Sequence, residues 1–248
     1  MSLPTPYYDD GEGIVIYHAD CREILPQLDA VDHVITDPPY AARAMKNARS
    51  AETIKQRRDG KEYDFGYAAL TDELRRDVAV LTAALVRRWA ISWCDLESFH
   101  MWRADVEAAG LRYIRGGIWT RELAAPQFSG DRPAQGVEAC VIAHTDQRLR
   151  WNGGGRPAAW VGPIVNSAHS SREHKSPKPE WLMNKLVGDF TDQGELILDP
   201  FMGSGTTLVA AKRLGRRAIG IEREEKYCEV AAKRLSQGAL NLFSEQAV

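Results

Sequence analysis

Short runs of β-branched and other apolar residues alternate along the chain with longer stretches whose apolar residues recur every three or four positions. That alternation predicts strands and helices in turn, the pattern of an α/β protein with a doubly wound parallel sheet. Gly13–Ala19 (GIVIYHA) reads as a strand and Cys21–Leu28 as a short helix; Val31–Thr36 (VDHVIT) is a second strand, stopped by Pro38 and Pro39, which lack ladder donors. Thr71 has the character of a helix N-cap. Asp72 and Glu73 follow it, and Leu74, Val78, Leu81 and Leu85 form an apolar stripe. That helix leads into the strand Trp89–Cys94 (WAISWC). A further helix spans Leu96–Ala109 and ends at Gly110, a residue suited to closing a helix.

Leu111–Arg121 and Gly136–Thr145 then read as two strands joined by the loop Glu122–Gln135. From Asp146 to Pro179 Gly, Pro, Ser, Arg and Trp occur without a period, and this stretch is expected to be irregular. Regular structure resumes with a helix from Pro179, the strand Glu195–Pro200 (ELILDP), a helix Ser204–Leu214, the strand Arg216–Glu222 (RRAIGIE) and a last helix Glu224–Leu235.

The length, 248 residues, suits one substantial α/β domain, and 44% apolar with 27% charged residues is ordinary globular composition. No run approaches the ~20 apolar residues of a membrane span, and the first residues lack the order of a signal peptide, so a cytoplasmic protein without a membrane partner is expected. The cysteines (21, 94, 140, 228) and the six histidines are scattered, with no metal-ligand spacing, so no metal is assigned. The net charge of −2 conceals one basic segment: between Ala41 and Glu62 stand seven basic and three acidic residues.

Two short sequences carry the candidate chemistry. Asp199-Pro200-Phe201-Met202-Gly203-Ser204-Gly205-Thr206-Thr207 follows a strand and opens a helix. Glycines at such a turn let the backbone approach a ligand, and the helix start attracts an anionic group. Leu208 stands where a dinucleotide fingerprint has its third glycine, which counts against a pyrophosphate, and a ligand with a single carboxylate fits as well. Glu222, at the end of the next strand, is placed to accept hydrogen bonds from ribose hydroxyls, or else to cap the following helix. A nucleoside derivative fits this pair.

The second sequence is Asp37-Pro38-Pro39-Tyr40. A carboxylate and a carbonyl freed from the ladder can accept both hydrogens of an aromatic amine, favouring its pyramidal, nucleophilic form over the flat delocalised one. The ring of Tyr40 offers a face on which a base can stack.

Together and in this order, TDPPY and DPFMGSGTT resemble the amino-methyltransferases of DNA, and specifically the beta class, in which the catalytic motif precedes the cofactor motif. His18-Ala19-Asp20-Cys21 resembles the family's acidic motif, which implies that Asp20 meets the adenine of the cofactor. His174-Lys175-Ser176-Pro177-Lys178-Pro179 is similar to the family's H-P-T-E-K-P segment at His, Lys and Pro, with Ser for Thr and departures at Lys175 and Pro177. It implies Ser176 and Lys178 near the cofactor's methionine end.

The resemblance further implies S-adenosylmethionine as cofactor and a class I methyltransferase fold. That fold is a Rossmann-like, mostly parallel seven-stranded sheet with circularly permuted motif order, ELILDP central, RRAIGIE and then GIVIYHA on one side, VDHVIT and WAISWC on the other, and a hairpin at the edge. Residues 1–248 would form one methyltransferase domain. Asp37, Pro38, Pro39 and Tyr40 would be catalytic, and Asp199, Pro200, Phe201, Gly203, Ser204, Gly205, Thr206 and Glu222 would bind the cofactor.

Cytosine-acting members of the class more often carry Ser where Asp37 stands, so the resemblance implies N6 of adenine ahead of N4 of cytosine. The substrate would be duplex DNA with a flipped base, read by the unmatched segments 41–66 and 146–175. An inactive DNA-binding version of the fold leaves the full catalytic set unexplained, and a nicotinamide oxidoreductase leaves DPPY unexplained. The short chain points to a short target or to a second subunit, such as a homodimer. The resemblance implies a setting in restriction and modification or a solitary enzyme; neither the recognised site nor a nuclease partner is legible.

Overall fold

The computed structural model describes residues 3–40, 70–122, 130–164 and 177–244. Segment 41–66 lies outside these residues, as do Ser176 and the later part of 146–175. The described chain runs β1 (Tyr8–Asp9), β2 (Ile14–His18), α1 (Cys21–Ile24), a 3-10 turn (Leu25–Gln27), β3 (His33–Thr36), α2 (Asp72–Leu85), β4 (Trp89–Cys94) and α3 (Phe99–Ala108). It continues with β5 (Arg112–Glu122), β6 (Val137–His144), β7 (Ala159–Pro163), α4 (Glu180–Phe190), β8 (Leu196–Asp199), α5 (Thr206–Arg213), β9 (Arg217–Glu222) and α6 (Glu225–Ser244).

One sheet collects all the described strands in the order β1-β2-β9-β8-β3-β4-β6-β5-β7. From β2 to β4 the neighbours are parallel; β6 then pairs antiparallel with both β4 and β5. The central seven strands stand in the order expected, with β8 in the middle, β9 and β2 to one side, and β3 and β4 to the other. The count of seven is corrected to nine. β1 pairs antiparallel with β2 at one edge, and β7 pairs parallel with β5 at the other. Two residues are too few to show a period in β1. In β7 the alternation is confined to Trp160 and Gly162 facing inward, within a stretch whose Gly and Pro conceal it.

Successive side chains of a strand point to opposite faces, and both faces here are covered. Ile14, Ile16, Ile35 and Ile91 pack with Leu186 of α4, Leu208 of α5 and Cys228 of α6. On the other face Val34, Ala90, Leu198 and Ile221 pack with Ile24 of α1, Val78 of α2 and Val106 of α3. This two-sided burial makes β3 and β4 continuously buried, as in parallel sheets covered by helices. Thr71 caps α2, its hydroxyl accepting from Leu74 N at 3.1 Å. The last helix runs to Ser244, beyond the expected Leu235. Among the described residues no helix is long and apolar enough to cross a membrane.

The parallel register brings the carboxyl ends of four strands together. His18 of β2 stands opposite Glu222 of β9, Asp199 of β8 opposite Gly220, and Val34 of β3 opposite Leu198. Ligands bind at this end of such sheets.

Candidate active site

The glycine turn is built around Asp199. Its Oδ1 accepts from the hydroxyl of Thr36 at 2.7 Å and from Phe201 N at 3.2 Å, and its Oδ2 accepts from the hydroxyl of Thr207 at 2.6 Å. Asp199 is 2% exposed, so this carboxylate fastens the end of β3 to the turn after β8. Burial pushes its carboxyl up to about 6, against the hydrogen bonds from Thr207 and Thr36.

Gly203 and Gly205 have φ of 51° and 78°, the left-handed region that glycine enters without strain. Gly205 takes the N-cap position of α5, so the helix starts at Thr206, two residues after the expected Ser204. Gly203 N donates to Glu222 Oε2 at 3.1 Å and Glu224 N to Glu222 Oε1 at 2.8 Å. Glu222 thus braces the turn as well as closing β9. Arg234 of α6 donates to the carbonyl and hydroxyl of Ser204 at 2.5 and 3.2 Å. Leu208 is accommodated because the residue across from it is Gly220, where a Cβ would come within 2.8 Å of a Leu208 methyl.

The chain leaves β3 through Asp37-Pro38-Pro39-Tyr40. Lys178 Nζ lies 2.6 Å from Asp37 Oδ1 and 3.0 Å from Glu138 Oε2. The Tyr40 hydroxyl donates to the same Glu138 oxygen at 2.6 Å, and Arg121 pairs with Glu138 Oε1 at 3.0 Å. The Lys178 side chain is 7% exposed and that of Asp37 is 27% exposed. Burial would push the Lys178 ammonium down, but the charges of Asp37 and Glu138 override it and hold it above the usual lysine range. Burial pushes the Asp37 carboxyl up, Lys178 opposing and Glu138 reinforcing the rise. Burial and the Glu138 and Asp37 charges raise the Tyr40 phenol well above its usual value.

Both motifs open onto one cleft of 430 Å³. Asp37, Pro38, Pro39, Tyr40 and Lys178 line one part of it, and Pro200, Phe201, Gly203, Ser204, Thr206 and Glu222 another. Asp199 touches it from below and Asp20 from the end of β2, while Gly205 is not among its lining residues. Asp20 caps α1, accepting from Arg22 N at 2.9 Å, and its Oδ2 is paired with the Arg22 guanidinium at 2.8 Å. That guanidinium holds the Asp20 carboxyl below its usual range. Lys178 is directed at Asp37 and Glu138. A turn whose backbone can be approached, a carboxylate at the end of the next strand and a cleft lined by both polar and apolar residues fit a nucleoside carrying a charged tail.

Three residues of this site were not anticipated: Thr36, Glu138 and Arg121. Glu138 had a visible signal, a carboxylate in the otherwise apolar run VEACVIA. Thr36 looks like one more β-branched strand residue, and Arg121 like a polar strand end.

The DNA methylase family model for N6 and N4 methyltransferases matches residues 109–233, just over half of the chain. That span includes Glu138, Lys178 and the glycine turn; Asp37 to Tyr40 precede it. The Type II methyltransferase M2.LlaDCHI of Lactococcus lactis subsp. cremoris is 28% identical over 256 residues, covering 96% of this chain and 94% of its own. The Type II methyltransferase M2.DpnII of Streptococcus pneumoniae is 27% identical over 250 residues, covering 94% and 93%. The crystal structure of the M1.HpyAVI–SAM complex superimposes with a TM-score of 0.68 at 28% identity, over 89% of this chain and 98% of that one. PvuII DNA methyltransferase, cytosine-N4-specific, has a TM-score of 0.69 over 90% of this chain and 86% of its own, a likeness of fold at 17% identity. With the glycine turn and Asp37-Pro38-Pro39-Tyr40 facing one cleft, the chain belongs to the DNA methylase family and is an S-adenosylmethionine-dependent DNA methyltransferase.

Proposed function

We propose that the protein methylates the exocyclic N6 amino group of adenine in duplex DNA, with the target base turned out of the helix into the cleft beside Tyr40. The observation that carries this reading is the setting of Asp37. Its Oδ1 is buried against Lys178, while the side chain as a whole retains 27% exposure toward a cleft shared with the glycine turn. The accessible part of the carboxylate is then the acceptor for one amine hydrogen, and a carbonyl of the Pro-Pro step accepts the other. These two acceptors draw the nitrogen lone pair out of the ring, an interaction that strengthens as the amine pyramidalises. The Tyr40 ring supplies the stacking face, which excludes water and fixes the line of attack.

When bound, S-adenosylmethionine supplies the electrophilic methyl group. We assign its ribose to Glu222, whose oxygens accept from the backbone N–H groups of Gly203 and Glu224 and keep lone pairs free. Its adenine end is assigned to Asp20 and Phe201, and its charged tail to the turn at Gly203–Thr206 with Pro200 and the Ser176 region. Asp199 acts beneath the turn and Gly205 through its backbone. Residues 1–248 work as one methyltransferase unit, with DNA recognition in 41–66 and 146–175, alone or as a homodimer. The four cysteines are free and buried thiols, as suits the reducing cytoplasm, where we place the protein. The relatives named Type II methyltransferases support a setting in restriction and modification.

The test is transfer of labelled methyl groups to duplex DNA, followed by hydrolysis and separation of the modified bases. N6-methyladenine is expected, together with loss of nearly all turnover in Asp37→Ala at unchanged cofactor affinity. Label in N4-methylcytosine would overturn the choice of base. Full turnover by Asp37→Ala would overturn the role of the carboxylate.

A further inference from the structure

We infer that Glu138 is a positioning residue of the methyl-transfer site, fixing the ring of Tyr40 and holding the Lys178 ammonium between two carboxylates so that it does not turn wholly to Asp37. The inference rests on the reading that Asp37 and Tyr40 receive the target base.

Glu138 lies on β6, where the residues after it face β4: Ala139 stands opposite Cys94 and Cys140 opposite Trp93. It is 7% exposed in a strand whose next six residues are all buried. A carboxylate in such a strand is tolerated only when paired and hydrogen-bonded, and Glu138 is fully so. Oε2 accepts from the Tyr40 hydroxyl at 2.6 Å and from Lys178 at 3.0 Å; Oε1 accepts from Arg121 at 3.0 Å. Arg121 is itself fixed by a 2.7 Å bond to the carbonyl of Gln135. Two cations and two carboxylates are thereby balanced behind the catalytic turn. Burial acts upward on the Glu138 carboxyl, but Lys178, Tyr40 and Arg121 together hold it below its usual range, so it is ionised.

Two consequences follow from this geometry. Tyr40 is held at its backbone by the proline step and at its hydroxyl by Glu138, so its ring cannot swing away from a stacking position. Lys178 is divided between Glu138 and Asp37, which leaves Asp37 more of its acceptor strength than an undivided ion pair would. Among the described residues, the titratable and charged groups around Asp37 include Lys178, Glu138, Tyr40, Cys94, Arg121 and Asp199.

The experiment compares the full-length wild type with Glu138→Gln, Tyr40→Phe and the double variant in methyl-transfer kinetics across pH, with S-adenosylhomocysteine affinity measured by calorimetry. Glu138→Gln should lower kcat at least tenfold while changing cofactor affinity less than twofold. It should also move the acidic limb of kcat/KM to lower pH, because a negative charge beside Asp37 is gone and Lys178 turns fully to it. The double variant should lose less than the product of the single losses, since Glu138→Gln weakens, and Tyr40→Phe removes, the same hydrogen bond. Wild-type kcat in Glu138→Gln, or multiplicative losses with an unmoved acidic limb, would overturn the inference. If Glu138→Gln does not fold, Tyr40→Phe, which removes only a hydroxyl, decides: a raised KM for DNA with lowered kcat supports the inference and wild-type kinetics overturns it. Asp37→Ala, assayed in parallel, tests the underlying reading separately, because its full turnover would defeat that reading whatever Glu138→Gln does.

Discussion

Lys178 Nζ and Asp37 Oδ1 stand 2.6 Å apart in the wall of the cleft, joining the segment expected at the cofactor's methionine end to the carboxylate expected to work on the target amine. The lysine side chain is 7% exposed, so removing its charge strands two carboxylates against each other. Lys178→Met should destabilise the protein by about 3–5 kcal/mol, as breaking buried ion pairs does. It should also move the acidic limb of kcat/KM to higher pH, because the charge that opposes the rise of the Asp37 carboxyl is lost. Denaturant unfolding and a pH profile measure the two effects, and an unchanged limb would remove Lys178 from the electrostatics of Asp37.

Glu222 braces the glycine turn through Gly203 N and, in the function proposed, holds the ribose. Glu222→Ala should weaken S-adenosylhomocysteine binding by roughly 1–3 kcal/mol, the range for charge-assisted hydrogen bonds. Titration calorimetry at neutral pH reads this directly. Undiminished affinity would confine Glu222 to closing the turn.

Gly205 has φ of 78°, and a Cβ there would lie 2.8 Å from the Cβ of Ala231 on α6. Gly205→Ala should therefore destabilise by about 2–4 kcal/mol, combining left-handed strain with overpacking. Gly154→Ala is the internal comparison, since its φ is 62° but nothing lies within 4 Å of the added carbon; strain alone should take about 1–2 kcal/mol there. Equal losses in thermal unfolding would mean that the contact with Ala231 relaxes freely.

Asp199 has its carboxyl raised to about 6, above the ordinary aspartate value near 4. Between those values the folded protein binds a proton that the unfolded chain has released, so this group's contribution to stability declines as pH rises from about 4 to 6. Asp199→Asn removes the decline. The stability of the variant relative to wild type should therefore rise by ~2 kcal/mol between pH 4 and pH 7, since a tenfold change in proton affinity corresponds to about 1.4 kcal/mol. Denaturant unfolding at both pH values checks the sign, and a constant difference would contradict it.

The order of elements and the central wind of the sheet were legible because both depend on local signals. β-branched runs, Thr71 before Asp72 and Glu73, Gly110 after a helix, and Pro38-Pro39 after a strand each act within a few residues. β7 escaped because a short edge strand has one partner and shows only two inward positions, Trp160 and Gly162, amid turn-forming residues. The nine-residue motif DPFMGSGTT and the DPPY step were likewise legible, since glycine and proline act on the backbone wherever they stand.

By itself the sequence determined which residue types were available at the carboxyl ends of β3, β8 and β9, and hence the chemistry the chain can perform. Only the tertiary structure decided how those groups divide the work. Asp199 lies beneath the turn with both oxygens engaged by Thr36 and Thr207, Lys178 reaches Asp37, and Glu138 joins Tyr40, Lys178 and Arg121. Most of those pairings connect residues far apart in the chain, so no local period encodes them. They arise because a parallel sheet lines up the ends of distant strands and because a buried charge must find its partner there.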